Sequence, residues 1–225
     1  MLRLLRLTVA AVALCVLSFA VQADEGEFPI KADDGSIIAN HRIAAELEGQ
    51  IEKLQNVVVA ANPKGKVTLY EFYDLNCPYC RKASADIAEL VRGNPNLRLV
   101  LVPFPVLGIP SILAARVEYA VNALATPEQA YKFHRAVYEG RGTIEDSRAF
   151  AAAQTVGLDV VEVRTKAGDE AFAKIMTAHL RLGDALGIQA TPGLVISGVA
   201  IVGYPGKAAL AGVIGAVEKC GKVMC

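Results

Sequence analysis

A run rich in β-branched and aromatic residues, "KVTLYEFY" over 66–73, leads into Cys77-Pro78-Tyr79-Cys80 and then directly into "RKASADIAELVRG". The first stretch reads as a buried strand. The last puts Ala83, Ile87, Leu90 and Val91 on one helical face that stops near Gly93. The cysteines therefore belong where a strand ends and a helix begins. The first backbone N–H groups of a helix lack partners within it, and the positive end of its dipole lies there. A sulfur held at that point is favoured as the thiolate, below a free pKa of about 8.5, and the thiolate is the species that attacks disulfides. Pro78 suits the first helical turn, where no N–H is needed. Cys80, one turn deeper, reads as a less exposed resolving thiol.

The rest of the chain supplies a sheet for this unit. "LRLVLVPF" at 97–104 is a second buried strand, so strand, helix and strand form a parallel crossover. "VVV" at 57–59 is a further strand and "NPKG" at 62–65 a turn. From 111 to 187 the pattern is helical, with room for about four helices. Thr126-Pro127-Glu128-Gln129 is a capping-box start, and Gly140 and Gly187 mark stops. Ile112, Leu113, Val117, Ala120, Val121 and Leu124 share one face; Phe172, Ile175, Met176, His179 and Gly183 share another. "GLVIS" and "VAIVG" then read as strands joined at Ser197-Gly198, before a last helix over 207–219. The result is an α/β domain over 57–225, its small mixed sheet divided by a helical insertion at about 104–187. Ahead of it, the acidic "DEGEFPIKADDGS" reads as a mobile leader. A helix over 37–56 follows, with Ile43, Leu47, Ile51 and Leu54 in one stripe that packs on its own domain or on a second copy of the chain.

Charge and targeting narrow the function. The 23 basic and 23 acidic residues balance, which argues against a nucleic-acid or anionic-membrane surface built on net charge. Arg3 and Arg6 precede an apolar run, Leu7–Ala20, and Val21-Gln22-Ala23 ends it in a small-x-Ala pattern. That is a cleaved secretory signal over 1–23, its run of roughly 14 residues falling short of the ~20 a membrane span needs. Cys15 leaves with it. Cys77, Cys80, Cys220 and Cys225 remain, and export to an oxidising compartment favours disulfide chemistry over zinc. No second Cys-x-x-Cys and no His-x-x-x-His exists to complete a zinc site, and His41, His134 and His179 stand alone as surface or packed helix residues. We therefore expect no bound metal, although two thiolates can hold Cu(I) and a copper-binding role stays open. An inert structural disulfide across so short a loop removes little unfolded-state entropy.

"YEFYDLNCPYC", the helix after it and "GIQATPGLVI" downstream resemble the thioredoxin superfamily, and the helical insertion resembles its DsbA branch of periplasmic thiol-disulfide oxidoreductases. The likeness spans roughly 57–220. It implies a thioredoxin-like fold and no cofactor beyond a redox-active Cys77–Cys80 disulfide. It implies a cis Thr191-Pro192 peptide facing the sulfurs and receiving substrate backbone, and a buried Glu71 that helps move the Cys80 proton. The same likeness implies exported cysteine-containing substrates, no nucleic acid, and a membrane redox partner that is DsbB-like or ScsB/DsbD-like. Pro-Tyr stands where DsbA has Pro-His. Tyr79 adds no positive charge, so the Cys77 pKa should fall less and the protein should be a weaker oxidant. Pro-Tyr with Thr191 is also similar to the isomerase DsbG and to ScsC, relatives in which N-terminal segments join subunits. Dithiol oxidase is the favoured activity, with isomerase or reductase the alternative. Cys220 and Cys225 are expected to form a local disulfide; a spare dithiol or an intermolecular link is the rival.

Overall fold

The computed structural model describes residues 26–225, so the expected signal segment and Cys15 lie outside the described residues. The strands are β1 (Asn40–Arg42), β2 (Val58–Ala61), β3 (Val67–Tyr73), β4 (Leu97–Pro103), β5 (Gly193–Ile196) and β6 (Val199–Val202). They form one sheet in the order β1-β6-β5-β3-β4-β2. The pair β3–β4 is parallel, with Leu69 opposite Leu99; every other pair is antiparallel. This is the mixed sheet that the sequence predicts, and β3, which carries the cysteines at its end, lies inside it.

Alternation along the strands sends side chains to two faces. Leu69 and Tyr73 of β3 and Leu97, Leu99 and Leu101 of β4 face helix α2 (Pro78–Gly93) and helix α8 (Lys207–Cys220), joining Ile87, Val91, Leu210 and Val213 in the larger core. Tyr70, Phe72, Val100 and Val102 face the other way, onto Leu182 and Leu186 and onto Ile51 of helix α1 (Ala45–Ile51). Burying each such Leu or Phe contributes roughly 1.5–3 kcal/mol, so both faces are needed to hold β3 rigid.

The insertion contains five helices: α3 (Ile109–Leu124), α4 (Pro127–Val137), α5 (Asp146–Thr155), α6 (Val160–Ala167) and α7 (Ala171–Ala185). About four were expected; Gly157 and Asp159 split one segment, the Asp159 carboxylate accepting from Val161 N and Glu162 N to open α6. Thr126 and Gln129 form the expected capping box on α4. The insertion serves two faces of the sheet. Helices α3 to α5 extend the larger core, whereas α7 covers the opposite face through Leu182 and Leu186.

Three sequence expectations need correction. From Gly26 on, the leader is packed on the domain instead of free: Ile30 is buried, Asp33 accepts from Ala208 N and Ala209 N at the start of α8, and the carboxamide of Asn40 ties down Phe28. Acidic composition suggested solvation, but Asp33 has partners at a helix start. The helix over 37–56 is short, because Asn40–Arg42 pair with Val199–Ile201 as an edge strand. Ile51 is buried and Ile43, Leu47 and Leu54 are partly buried against their own domain's core, the first of the two alternatives for this stripe. The predicted face of α3 is also displaced: Ile112 and Leu113 are exposed, and Ser111, Ala115, Glu118 and Tyr119 are buried with Val117, Ala120 and Val121.

Candidate functional site

Cys77 occupies the N-cap position of α2 and Pro78 its first residue, as the sequence order required. Arg81 N–H donates to Cys77 O at 3.1 Å and closes the first turn of the helix. Both thiols are free and buried, Cys80 completely. Tyr79 points outward and is exposed.

Across from the pair, the Thr191-Pro192 peptide is cis and leads straight into β5. The Cys77 thiol lies 3.1 Å from the carbonyl oxygen of Thr191. Gly193 follows, where a Cβ would come within 2.3 Å of Ile188 Cγ2, so only glycine lets the loop pack this closely. β5 and β6 are thus the platform that presents Thr191 and Pro192 to the sulfurs.

The two thiols differ in acidity. Cys77 is lowered to about 6, first by a hydrogen bond from the Cys80 thiol, then, against the opposing effect of burial, by the Thr191 side chain and the backbone N–H groups of Cys80 and Tyr79. Cys80 is pushed far up, first by burial and then by its hydrogen bond to Cys77 and the negative charge of Glu71 and Cys77. One sulfur is a ready nucleophile at neutral pH; the other keeps its proton.

Glu71 stands in the middle of β3, opposite Leu101 of β4 and Leu194 of β5. It is buried, and neither carboxylate oxygen has a hydrogen-bond partner among the described residues. Burial, followed by the charge on Cys77, raises its pKa to about 8. An exposed strand position is therefore ruled out. A carboxylic acid with that pKa gives and takes protons in the neutral range.

Several site-forming residues escaped the sequence reading. Asp74, three residues before Cys77, is buried and accepts from Asn76 N (2.7 Å), Ser111 Oγ (2.7 Å), Val106 N (2.7 Å) and Leu107 N (2.9 Å). It binds the loop before the cysteines to the start of the insertion. An Asp after a strand and just before Cys-x-x-Cys was visible; its partners, some 30 residues away, were not. Glu118 of α3 is buried, raised to about 8 by burial, and accepts from Tyr73 Oη at 2.6 Å. His134 of α4 is buried between Tyr73 and Tyr138, its ring edge-on to both, and burial lowers it to about 3. Of the other histidines, His179 bonds Pro103 O and Gln55 O, and His41 lies on β1 near Leu186 O. Cys220 and Cys225, at the far end of α8, are joined in a disulfide. Among the described residues no three His, Cys, Asp or Glu side chains converge on a common point, and no helix is long and apolar enough to cross a membrane.

Thiols of such unequal acidity, facing a cis-proline at the end of a thioredoxin-type sheet, place the chain among thiol-disulfide oxidoreductases of the thioredoxin class. Residues 68–215 match the DSBA-like thioredoxin domain, and the chain belongs to that family. A thioredoxin-like oxidoreductase from Silicibacter pomeroyi DSS-3 is 31% identical and superposes with a TM-score of 0.66 over 74% of this chain and 94% of that one. A periplasmic thioredoxin-like protein from Salmonella enterica serovar Typhimurium is 24% identical, TM-score 0.66, over 77% and 97% of the two chains. The catalytic domain of Proteus mirabilis ScsC is 21% identical, TM-score 0.63, over 73% and 92%. The last two establish a shared fold only. Among curated proteins, a Na(+)/H(+) antiporter, NhaA 1 of Salinispora arenicola, is 22% identical over 166 residues; this chain spans 25% of its length.

Proposed function

We propose that the protein is a periplasmic dithiol oxidase, which introduces disulfides into exported proteins. The acidity difference between Cys77 and Cys80 carries this reading. A fold that stabilises the Cys77 thiolate stabilises the reduced pair, and a stabilised reduced pair makes the disulfide form an oxidant. The redox-active disulfide Cys77–Cys80 would then be the only prosthetic group.

In the reaction, a substrate thiolate attacks Cys77 Sγ of the disulfide, forming a mixed disulfide and releasing Cys80 as a thiolate. Cys80, strongly basic, takes a proton; Glu71, titrating near neutrality, is its donor. A second substrate thiolate attacks the substrate sulfur of the mixed disulfide, and Cys77 leaves as a stabilised thiolate. Two electrons pass from the substrate dithiol to the pair. Thr191 and Pro192 hold the substrate as an added strand through backbone hydrogen bonds. A DsbB-like membrane partner removes the electrons.

The test is to trap free thiols inside the native cell with a mass-adding alkylating agent and read the Cys77–Cys80 pair. A mostly disulfide pool is expected. A mostly dithiol pool would overturn the oxidase reading in favour of an isomerase or reductase fed by a ScsB/DsbD-like partner, and tight Cu(I) binding without thiol exchange would overturn both.

A further inference from the structure

Close to Cys77 lies an open pocket of about 730 Å³ whose walls include Asn76, Pro78, Arg81, Leu107, Pro110 and Arg141. Asn76 and Pro78 flank Cys77 in the chain, so the pocket opens within one residue of the reacting cysteine. Among the described residues lining it there are two arginines and no acid.

Two of the nearby guanidinium groups are held in place. Arg81 donates to Gly140 O and to Gly142 O and lies over the Tyr138 ring at 5.9 Å. Arg148 donates to Glu139 O, Arg141 O and Gly142 O, so the loop carrying Arg141 is held from both sides. None of the three arginines forms an ion pair among the described residues, although Glu139 and Glu145 are near in sequence. Arg148 is lowered by partial burial and then by the charge on Arg81. The Arg141 side chain is exposed. Such charge is localised, in a chain whose basic and acidic residues balance. Next to it, Val106, Leu107 and Ile109 form an exposed apolar shelf.

We propose that this pocket is a specificity site that favours substrates with an acidic side chain close to the reacting cysteine, the Arg141 and Arg81 guanidinium groups receiving the carboxylate. The proposal rests on the oxidoreductase reading and adds substrate class to it. A substrate strand lying on Thr191 with its cysteine at Cys77 Sγ has neighbours only about 3.3 Å per residue away along an extended chain, within reach of pocket walls that include the two residues flanking Cys77. Arginine suits the role because its planar fork matches a carboxylate. Leu107 and Pro110 cover the methylene part of a Glu side chain.

The experiment measures second-order rate constants for the oxidised protein with reduced peptides that each carry one cysteine. The peptides are identical except for Glu, Gln or Lys at the first or second position on either side of it. At low salt, Glu at the favoured position should react roughly fivefold faster than Gln, and Lys slower than both; at about 0.5 M salt the spread should shrink, since charges more than a Debye length apart are screened. In Arg141→Glu the order of the Glu and Lys peptides should invert, and in Arg141→Gln it should flatten, with the Gln peptide reporting whether each variant remains folded and reactive. Equal rates for all peptides, or an unchanged order in Arg141→Glu, would overturn the pocket while leaving the oxidoreductase intact. Failure of every peptide to react at Cys77 would overturn both.

Discussion

Cys77 opens α2 and Cys220 closes α8, and the two helix ends treat the same side chain in opposite ways. At the start of α2, backbone N–H groups, the Thr191 side chain and the Cys80 thiol stabilise a negative sulfur. At the end of α8 the backbone offers carbonyls; Cys220 and Cys225 are exposed and joined to each other. The first environment favours the reduced pair and makes its disulfide labile. The second sets the carbonyl oxygens of Ala216, Lys222 and Met224 against the sulfurs, and its disulfide acts as a staple. Redox role follows from the groups around the sulfur, and cysteine spacing only permits it.

The comparison breaks most sharply by mutation. Cys77→Ser should reduce exchange with a dithiol substrate to the uncatalysed background, whereas Cys80→Ser should accumulate a mixed disulfide visible on a non-reducing gel. Replacing both Cys220 and Cys225 with Ala should leave the exchange rate intact; retained exchange in Cys77→Ser would sink the assignment.

Stability should separate the pairs next. Losing the Cys220–Cys225 link should cost about 2 kcal/mol in denaturant unfolding, from closure of a short loop. Reducing Cys77–Cys80 should instead stabilise the fold, and the sign can be worked out. The folded Cys77 pKa of about 6 lies below its ordinary 9.0, so the thiolate contribution is fully present above pH 9.0 and lost as pH falls through 6. The melting temperature of the reduced protein minus that of the oxidised protein should therefore rise from pH 5 to pH 8. A flat difference would contradict a stabilised thiolate.

Glu71 sharpens the contrast, being a buried acid whose charge acts on Cys80. Its folded pKa of about 8 lies above the ordinary 4.5, so the buried neutral acid favours folding below 4.5 and loses that advantage as pH rises through 8. Glu71→Gln should flatten the fall in stability between pH 5 and 8, worth up to roughly 4 kcal/mol, and slow the step in which Cys80 gains or loses its proton. The smallest effect is at Tyr79. Its exposure means a substituted imidazolium is well solvated, so Tyr79→His should lower the Cys77 pKa by less than about one unit, read from the pH dependence of alkylation.

The sequence contained much of this site because its parts are local. A strand pattern, a cysteine pair and a helix pattern lie within 66–93, and the likeness to the thioredoxin superfamily marks Thr191-Pro192. Asp74 shows where that legibility stops: its four donors include Val106, Leu107 and Ser111, which only the fold brings to it. The leader was misjudged for the same reason. Its acids looked solvent-bound until Asp33 met the start of α8. On α3, a periodic stripe could not reveal that Glu118 would turn inward to Tyr73 while Ile112 and Leu113 faced solvent.

By itself the sequence determined that a nucleophilic cysteine would stand at the head of a helix, because hydrophobic periodicity and proline geometry act over a few residues. It also determined the α/β class and the position of the insertion. Tertiary structure alone decided how strongly that cysteine is activated, which acid lies buried beneath it, what becomes of the 43–54 stripe, and which charges rim the pocket next to it. Desolvation, hydrogen bonding and Coulomb interaction depend on distances in space between residues far apart in the chain, and those distances exist only once both faces of the sheet are packed.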